Sequence, residues 1–273
     1  MNHMPELPEV ETIRRGLENI VGKKITKIFR SEKKLRLETS LDFQALKGAK
    51  ISEIFRRARY LIINLSNDLS LIIHLGMSGR ITIEQEFSKL KHDHFAHEFT
   101  DGTWLVFNDP RRFGFVDLVK TKDLLKHKML VKLGPEPLEK EFNFTDFAKK
   151  LRSKKTNIKT TIMDNHVVVG VGNIYANESL FDSGISPLRN SDSLAKNEIE
   201  KLISSIKKII KAAIKAGGSS ISDYIDSHGN SGKFQDGFKV YGRARGKCLQ
   251  CKNLIQRIVQ SGRSSFFCNQ CQK

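Results

Sequence analysis

The sequence predicts an α+β multidomain protein. An N-terminal antiparallel β-sandwich with flanking helices is followed by a helical part and a C-terminal β-hairpin clamped by four cysteines. Three observations carry that reading. From Lys24 to about Val119 the text consists of short apolar runs rich in β-branched and aromatic residues, separated by Ser, Asn, Asp and Gly, the pattern of antiparallel strands. Beyond Leu138 the apolar period lengthens to that of helices. All four cysteines lie at or after position 248, as Cys248-x2-Cys251-x16-Cys268-x2-Cys271.

Taken in order, Glu9 to Val21 reads as a helix. Val10, Ile13, Leu17 and Ile20 recur at helical spacing, and Gly22 supplies a stop. Strand-like runs follow at residues 25–29, 51–55, 60–65, 69–75, 80–83, 95–99, 104–107 and 114–119. Leu133-Gly134-Pro135-Glu136-Pro137-Leu138 punctuates the chain and marks a hinge. Helical text then covers residues 144–151, 160–164, 173–183 and 191–216, the last with an apolar face of Ile199, Leu202, Ile203, Ile206, Ile210 and Ile214. Gly217 to Gly237 is rich in Gly, Ser and Asp and reads as a loop. The expected domains are residues 1–134, with a functional start at Pro5, then 135–236 and 237–273.

The tail carries the strongest local signal. Two Cys-x2-Cys knuckles joined by a hairpin-sized insert have the spacing of a structural four-cysteine zinc site. A segment this short cannot draw its folding energy from a core, and one zinc ion would supply it. Residues 255–260 and 264–267 read as the two strands, with Ser261-Gly262-Arg263 at the tip.

Among 273 residues, Lys and Arg number 47 against 30 Asp and Glu, a formal charge of +17. Such an excess favours a polyanion through phosphate neutralisation and counterion release. No apolar run approaches the ~18 residues of a membrane span, and no signal peptide is visible. Clustered cysteines are not a disulfide scaffold and fit a reducing cytosol.

The chemistry centres on Met4-Pro5-Glu6-Leu7. A free prolyl nitrogen is a secondary amine, and an α-amino group titrates near ~7.7–8.0, so part of it is nucleophilic at neutral pH. Attack on a sugar C1′ gives a cationic iminium, an electron sink that acidifies the C2′ proton. Glu6 places a carboxyl group beside it for proton transfer. Structurally, Pro5 and Pro8 also suit a helix start. Within an amide the Pro5 nitrogen has no available lone pair. The chemistry therefore expects translation to start at Met4, or residues 1–4 to be removed.

Other stretches are suited to a polyanion. Arg56-Arg57-Ala58-Arg59 concentrates three guanidiniums before a strand. His74-Leu75-Gly76-Met77-Ser78-Gly79 ends a strand in a glycine-flanked turn. Asn108-Asp109-Pro110-Arg111-Arg112-Phe113-Gly114 is an Asp-Pro turn with a phenylalanine and two arginines on a loop tip. His92-Asp93-His94 and His97 lack the ligand spacing of a closed metal site. Gly170-Val171-Gly172-Asn173 opens a helix, with Asn173 as the expected N-cap, and helix starts bind phosphate.

From Met4 to Lys273 these motifs, in this order, resemble the bacterial formamidopyrimidine-DNA glycosylases: M-P-E-L-P-E-V-E-T, K-H-D-H, L-G-P-E-P, the string M-D-N-H-V-V-V-G-V-G-N-I-Y-A-N-E-S-L-F and the cysteine tail. The resemblance implies a helix–two-turn–helix element in the middle domain and a zinc-finger hairpin at the end. It implies a bifunctional enzyme that excises oxidised purines, chiefly 8-oxoguanine and formamidopyrimidines. Pro5 would form the Schiff base and Glu6 act as acid, and β- and δ-elimination would cleave the strand. Arg59 stands where the family usually has a proton-transferring lysine; arginine does not give up its proton, so a phosphate-holding role is expected. Met77, Arg111 and Phe113 match the plug that fills the gap left by an everted base. His74, His92, Lys154, Lys155, Lys159 and Asn173 are expected DNA contacts. Arg263 is expected to bind phosphate and stabilise the leaving phosphate of the second elimination. The 217–237 loop would close over the base, with Lys233 in place of the usual aromatic.

The implied partner is double-stranded DNA containing oxidised bases or abasic sites, met by a monomer in the bacterial cytoplasm. Two alternatives stand beside this reading: an endonuclease VIII-type enzyme for oxidised pyrimidines, and a non-catalytic damaged-DNA-binding protein if Pro5 is not the N-terminus.

Overall fold

The computed structural model describes residues 4–37, 41–220 and 231–273. The Met1-Asn2-His3 extension and the centre of the 217–237 loop, residues 221–230, lie outside the described residues. The chain divides into two compact units: the described residues up to Val131 with those of Ala216–Lys233, and Lys132–Lys215 with Phe234–Lys273.

In the first unit, helix α1 (Leu7–Gly16) precedes eight strands: β1 (Ile25–Arg30), β2 (Ile51–Arg57), β3 (Tyr60–Leu65), β4 (Leu69–His74), β5 (Arg80–Glu84), β6 (Asp93–Phe99), β7 (Trp104–Asn108) and β8 (Phe115–Lys120). They form two four-stranded sheets, β1-β6-β7-β5 and β2-β3-β4-β8, in which the paired strands are antiparallel. Each apolar run read from the sequence became a strand. The helix begins earlier than expected, at Leu7. Pro8 is tolerated in its first turn, and a capping box joins Glu6 and Glu9. It also ends earlier, passing into a 3-10 turn at Glu18–Ile20. The apolar stripe of Val10 and Ile13, continued past the helix by Leu17 and Ile20, joins Ile54, Leu61, Ile63, Phe95, Phe99 and Phe107 in one core.

His97 sits in this unit's interior. Residues two apart on a strand share a face, so His97 lies between Phe95 and Phe99, with ring centroids 5.6 and 4.9 Å away. It is fully buried, and among the described residues neither ring nitrogen has a partner. Burial pushes its pKa down from 6.5 to about 3. The unfolded chain therefore takes up a proton below pH 6.5 that the folded chain refuses. The stability this provides is complete above 6.5 and is lost as pH falls towards 3. At pH 5 the loss is about 2 kcal/mol. His97→Leu is expected to recover that amount at pH 5 relative to pH 7, in urea unfolding followed by the fluorescence of Trp104, the chain's single tryptophan. Identical pH dependence in both proteins would show that His97 is not held neutral.

The second unit contains helices α2 (Phe144–Arg152), α3 (Ile158–Ile162), α4 (Asn173–Ser183) and α5 (Lys196–Lys215), then strands β9 (Gln256–Gln260) and β10 (Arg263–Phe267). The helix expected over 191–216 starts later because Ser191–Ser193 is a 3-10 turn and Glu198 Oε2 accepts the Ala195 N–H at 2.8 Å. Its buried face holds Ile199, Leu202, Ile206 and Ile210, while Ile203 and Ile214 are half-buried. Helix α4 is buried on nearly every side. It ends at Gly184, whose φ of 73° makes the left-handed cap.

Two polar side chains of α4 hold the C-terminal segment. Asn177 Oδ1 accepts the Phe266 N–H at 2.6 Å. The Glu178 carboxylate accepts three successive backbone N–H groups, from Lys239, Val240 and Tyr241, at 2.9–3.0 Å. Burial raises the Glu178 pKa, and those three N–H groups oppose the rise.

Candidate active site and phosphate-binding cleft

In the first unit, buried Pro5 lies two residues before α1. Glu6 is the helix N-cap: its side chain accepts from the Glu9 N–H, and Glu9 Oε2 accepts the Glu6 N–H at 2.9 Å. Arg59 lies 53 residues away in the two-residue turn between β2 and β3, where Ala58 adopts φ 53°. The sheet returns it to the helix start, and Arg59 Nη2 donates to Glu6 Oε2 at 2.8 Å. Nη1 lies 3.2 Å from Met4 Sδ. Nε is buried without a partner among the described residues. The guanidinium thus meets the carboxylate of the residue that follows Pro5 and the side chain of the residue that precedes it.

Glu9 and Gly218 belong to this site and were missed in the sequence. Glu9 is fully buried, and its second oxygen accepts the Ser219 N–H at 2.8 Å. One carboxylate therefore ties the Pro5–Glu6 segment to the base of the 217–233 stretch. Gly218 has φ 81°, and a Cβ there would lie 2.9 Å from Glu9 Cγ, so only glycine fits. The available signal was the P-E-L-P-E spacing, Glu6 with Glu9 three residues on, which marks a capping box. Lys233 donates its N–H to Ala216 O at 2.9 Å, closing the base of the stretch.

Two loops carry the expected plug residues. Gly76, at φ 63°, touches the second loop backbone to backbone: a Cβ there would lie 2.4 Å from Gly114 N. Buried Asp109 organises the pair. Its Oδ1 accepts from Ser78 Oγ at 2.5 Å and from Arg111 N at 3.2 Å, and its Oδ2 accepts from Gly114 N at 2.8 Å. His94 bridges Ser31 Oγ and the Asp109 carbonyl at 2.9 and 3.0 Å. On this frame Met77 is half-buried, Arg111 is exposed with its guanidinium 4.8 Å from the Phe113 ring centre, and Phe113 is 45% exposed. The frame brings these three residues into one neighbourhood, with half-buried His92 beside it through the Asp109 N–H to His92 O bond of 2.9 Å.

His74 does not join that exposed set. It is 3% exposed and stacks on Phe115 at 5.6 Å. Its Nδ1 accepts the Gly76 N–H at 3.1 Å, which shapes the turn. Burial first, then the Arg59 and Arg36 charges, push its pKa to about 3.

In the second unit, Lys154, Lys155, Lys159 and Arg263 line one cleft of about 420 Å³, together with Thr160, Ser261 and Asp164. Lys154 pairs with Asp164 at 2.8 Å, and Lys155 is exposed. Lys159, expected from the resemblance to contact DNA, is 1% exposed. Ser261 and Gly262, at φ 47° and 74°, make the primed turn of the β9–β10 hairpin, and exposed Arg263 follows. Asn173 is the first residue of α4, half-buried; Gly172, not Asn173, is the N-cap.

The four cysteine sulfurs lie within 4.8 Å of one another. Cys251–Cys268 and Cys248–Cys271 are 3.3 and 3.9 Å apart. Tetrahedral zinc with bonds of ~2.3 Å sets sulfurs ~3.8 Å apart, so the cluster fits one ion. Among the described residues no other such group could hold a metal.

Family profiles match in chain order. The formamidopyrimidine-DNA glycosylase N-terminal domain covers residues 4–116, the H2TH domain of the same proteins covers 133–225, and the zinc finger found in FPG and IleRS covers 246–273. The formamidopyrimidine-DNA glycosylase of Dinoroseobacter shibae is 43% identical over 99% of this chain and all of its own. That of Wolbachia pipientis subsp. Culex pipiens is 45% identical over 98% of this chain and all of its own. Among solved structures, the MutM (FPG) protein of Thermus thermophilus shares 34% identity and a TM-score of 0.87, with 98% of each chain covered. A point mutant of the Lactococcus lactis FPG in complex with Fapy-dG-containing DNA shares 38% and 0.88, covering 98% of this chain and all of that one. Three matched profiles and relatives alike from end to end admit one assignment: the chain belongs to the formamidopyrimidine-DNA glycosylase family.

Proposed function

We propose that this protein is a base-excision-repair DNA glycosylase with AP-lyase activity that removes oxidised purines from double-stranded DNA. The observation that carries the reading is the carboxylate of Glu6, the residue next to Pro5 in the chain, paired with Arg59 at 2.8 Å. With the Pro5 nitrogen free, its lone pair forms the bond to C1′ as the bond from C1′ to the damaged base breaks. Arg59 Nη2 donates a charge-assisted hydrogen bond to that carboxylate. The carboxylate can take the proton of the newly formed ammonium nitrogen and hand it to the sugar ring oxygen, whose bond to C1′ breaks as the nitrogen lone pair forms the iminium. Loss of the C2′ proton then expels the 3′ phosphate, and a second elimination expels the 5′ phosphate. Arg59 keeps its own proton and contributes a fixed positive charge.

Met77, Arg111 and Phe113 fill the gap in the stack, and His92 contacts DNA beside them. His74 contributes by shaping the 74–79 turn. Lys154, Lys155, Asn173 and Arg263 bind backbone phosphates. One zinc ion, held by Cys248, Cys251, Cys268 and Cys271, orders the hairpin that carries Arg263. The working division is residues 1–134, 135–236 and 237–273. Among the described residues no helix is long and apolar enough to cross a membrane; the site of action is the bacterial cytoplasm, at the nucleoid, and the active form is a monomer.

The test is borohydride trapping on an 8-oxoguanine duplex. A chain beginning at Pro5 is expected to give a covalent protein–DNA adduct, and a chain retaining residues 1–4 none. Absence of adduct from the Pro5-starting chain would end the catalytic reading.

A further inference from the structure

We propose that Lys159 is the positioning residue of Arg263: it fastens helix α3 to the hairpin strand that begins with that arginine, and it acts on DNA only through it. This rests on the phosphate-binding role of Arg263 proposed above.

The geometry is specific. Lys159 Nζ donates to Ser264 O at 2.9 Å and to Ser265 Oγ at 2.8 Å. Ser264 follows Arg263 directly, so the first bond fixes the Ser264–Ser265 peptide plane, one residue beyond the arginine. The second continues across the hairpin: Ser265 Oγ donates to Gln260 Oε1 at 2.6 Å, and Gln260 Nε2 donates to Pro187 O at 2.9 Å. Gln260 is the cross-strand partner of Arg263. Both sides of the tip are therefore tied to the helical part of this unit, one directly by Lys159 and the other through Ser265. At 1% exposure Lys159 has almost no surface with which to meet a phosphate itself.

A buried ammonium is costly unless its hydrogen bonds are made. Burial, and then the nearby Arg263 charge, lower the Lys159 pKa to about 8. The fold thus keeps two cations in mutual repulsion beside a cleft, and Arg263 has no acidic partner among the described residues. An anion placed in the cleft relieves that repulsion, which is the arrangement expected of a preformed phosphate seat.

A binding cycle tests the inference. Zinc-loaded wild-type protein, Lys159→Met, Arg263→Ala and the double variant are titrated against a duplex carrying a tetrahydrofuran abasic analogue. Residues that act as one unit show non-additive effects. Each single variant is expected to weaken binding about 10-fold and the double variant by no more than about 10-fold in all. Adding Lys159→Met to Arg263→Ala should also leave the slope of log affinity against log salt unchanged, since no further phosphate contact is lost. A double variant weakened about 100-fold, a further fall in the salt slope, or a Lys159→Met protein that binds like wild type would each overturn the proposal. Should Lys159→Met lose its zinc and fail to fold, Ser265→Ala takes its place. It removes the shared hydroxyl of the same tie, and the same non-additivity with Arg263→Ala is expected. Because the readout is binding, a missing borohydride adduct would strike the catalytic reading alone.

Discussion

Glu6→Gln is expected to slow base excision by about 10²–10⁴-fold, the span over which removal of a positioned proton-transfer group acts, while leaving the fold and DNA binding nearly intact. The Glu6 side chain has two separable duties. One set of bonds is structural: the side chain accepts the Glu9 N–H in the capping box and receives Arg59 Nη2. A glutamine amide oxygen can still accept from either, so the first turn of α1 keeps its cap. It cannot carry a proton from the proline nitrogen to the sugar ring oxygen. Because Arg59 would then face a neutral amide, a small loss of stability is also expected, on the order of 1 kcal/mol for a partly buried charged hydrogen bond. Single-turnover excision from an 8-oxoguanine duplex, with thermal unfolding of the same preparation, separates the two effects. Excision within a factor of about three of wild type would show that Glu6 carries no proton in the reaction.

That arrangement also marks where the sequence stops being legible. The eight strands could be read because alternating β-branched and aromatic residues leave few other ways to bury their side chains, and the cysteine spacing could be read because tetrahedral ligation demands it. Pro5 and Glu6 could be read as a pair because they are neighbours. The pairing of Glu6 with Arg59 could not, since it depends on how β2 and β3 return a turn to the start of α1. The bond between Asp109 and Ser78 could not be read for the same reason: each residue is ordinary in its own turn, and their joint role exists only where the loops meet. Lys159 and His74, expected as DNA contacts from the resemblance, show a different limit: their burial and their hydrogen bonds to their own protein depend on packing that a motif does not record. His97 was recoverable, because the alternation Phe95, His97, Phe99 puts it on the same face as two core phenylalanines.

Removing zinc is the second large perturbation, and its expected effect is uneven. The second knuckle has anchors of its own: Gln272 Oε1 accepts the Cys268 N–H and Gln272 Nε2 donates to Ile185 O, both at 2.9 Å. Phe266 is held by Asn177, and the 239–241 backbone by Glu178. The first knuckle is made largely of local turns, with Cys248 N–H to Asn253 O at 2.7 Å and Lys252 N–H to Cys248 O at 3.0 Å. Leu249 and Leu254 within it are about half exposed. A structural zinc site contributes on the order of 10 kcal/mol of apparent binding energy, far more than those turns, and a two-stranded hairpin is marginal without support. Chelation, or Cys251→Ser, is therefore expected to release residues 245–254 first and to loosen β9 next, while β10 keeps part of its contact with α4. Arg263 sits at the junction of the two strands, so its seat is lost with β9, and affinity for an abasic-analogue duplex should fall at least ~10-fold, as for the loss of a charged phosphate contact. Limited trypsin digestion locates the change, since cleavage after Lys247 and Lys252 should appear on zinc removal before any cleavage in the β-sandwich. Gln272→Ala should act in the reverse order, freeing the second knuckle while zinc still holds the first. A metal-free chain that resists trypsin at both lysines and binds DNA as before would mean that the helical anchors alone order the hairpin.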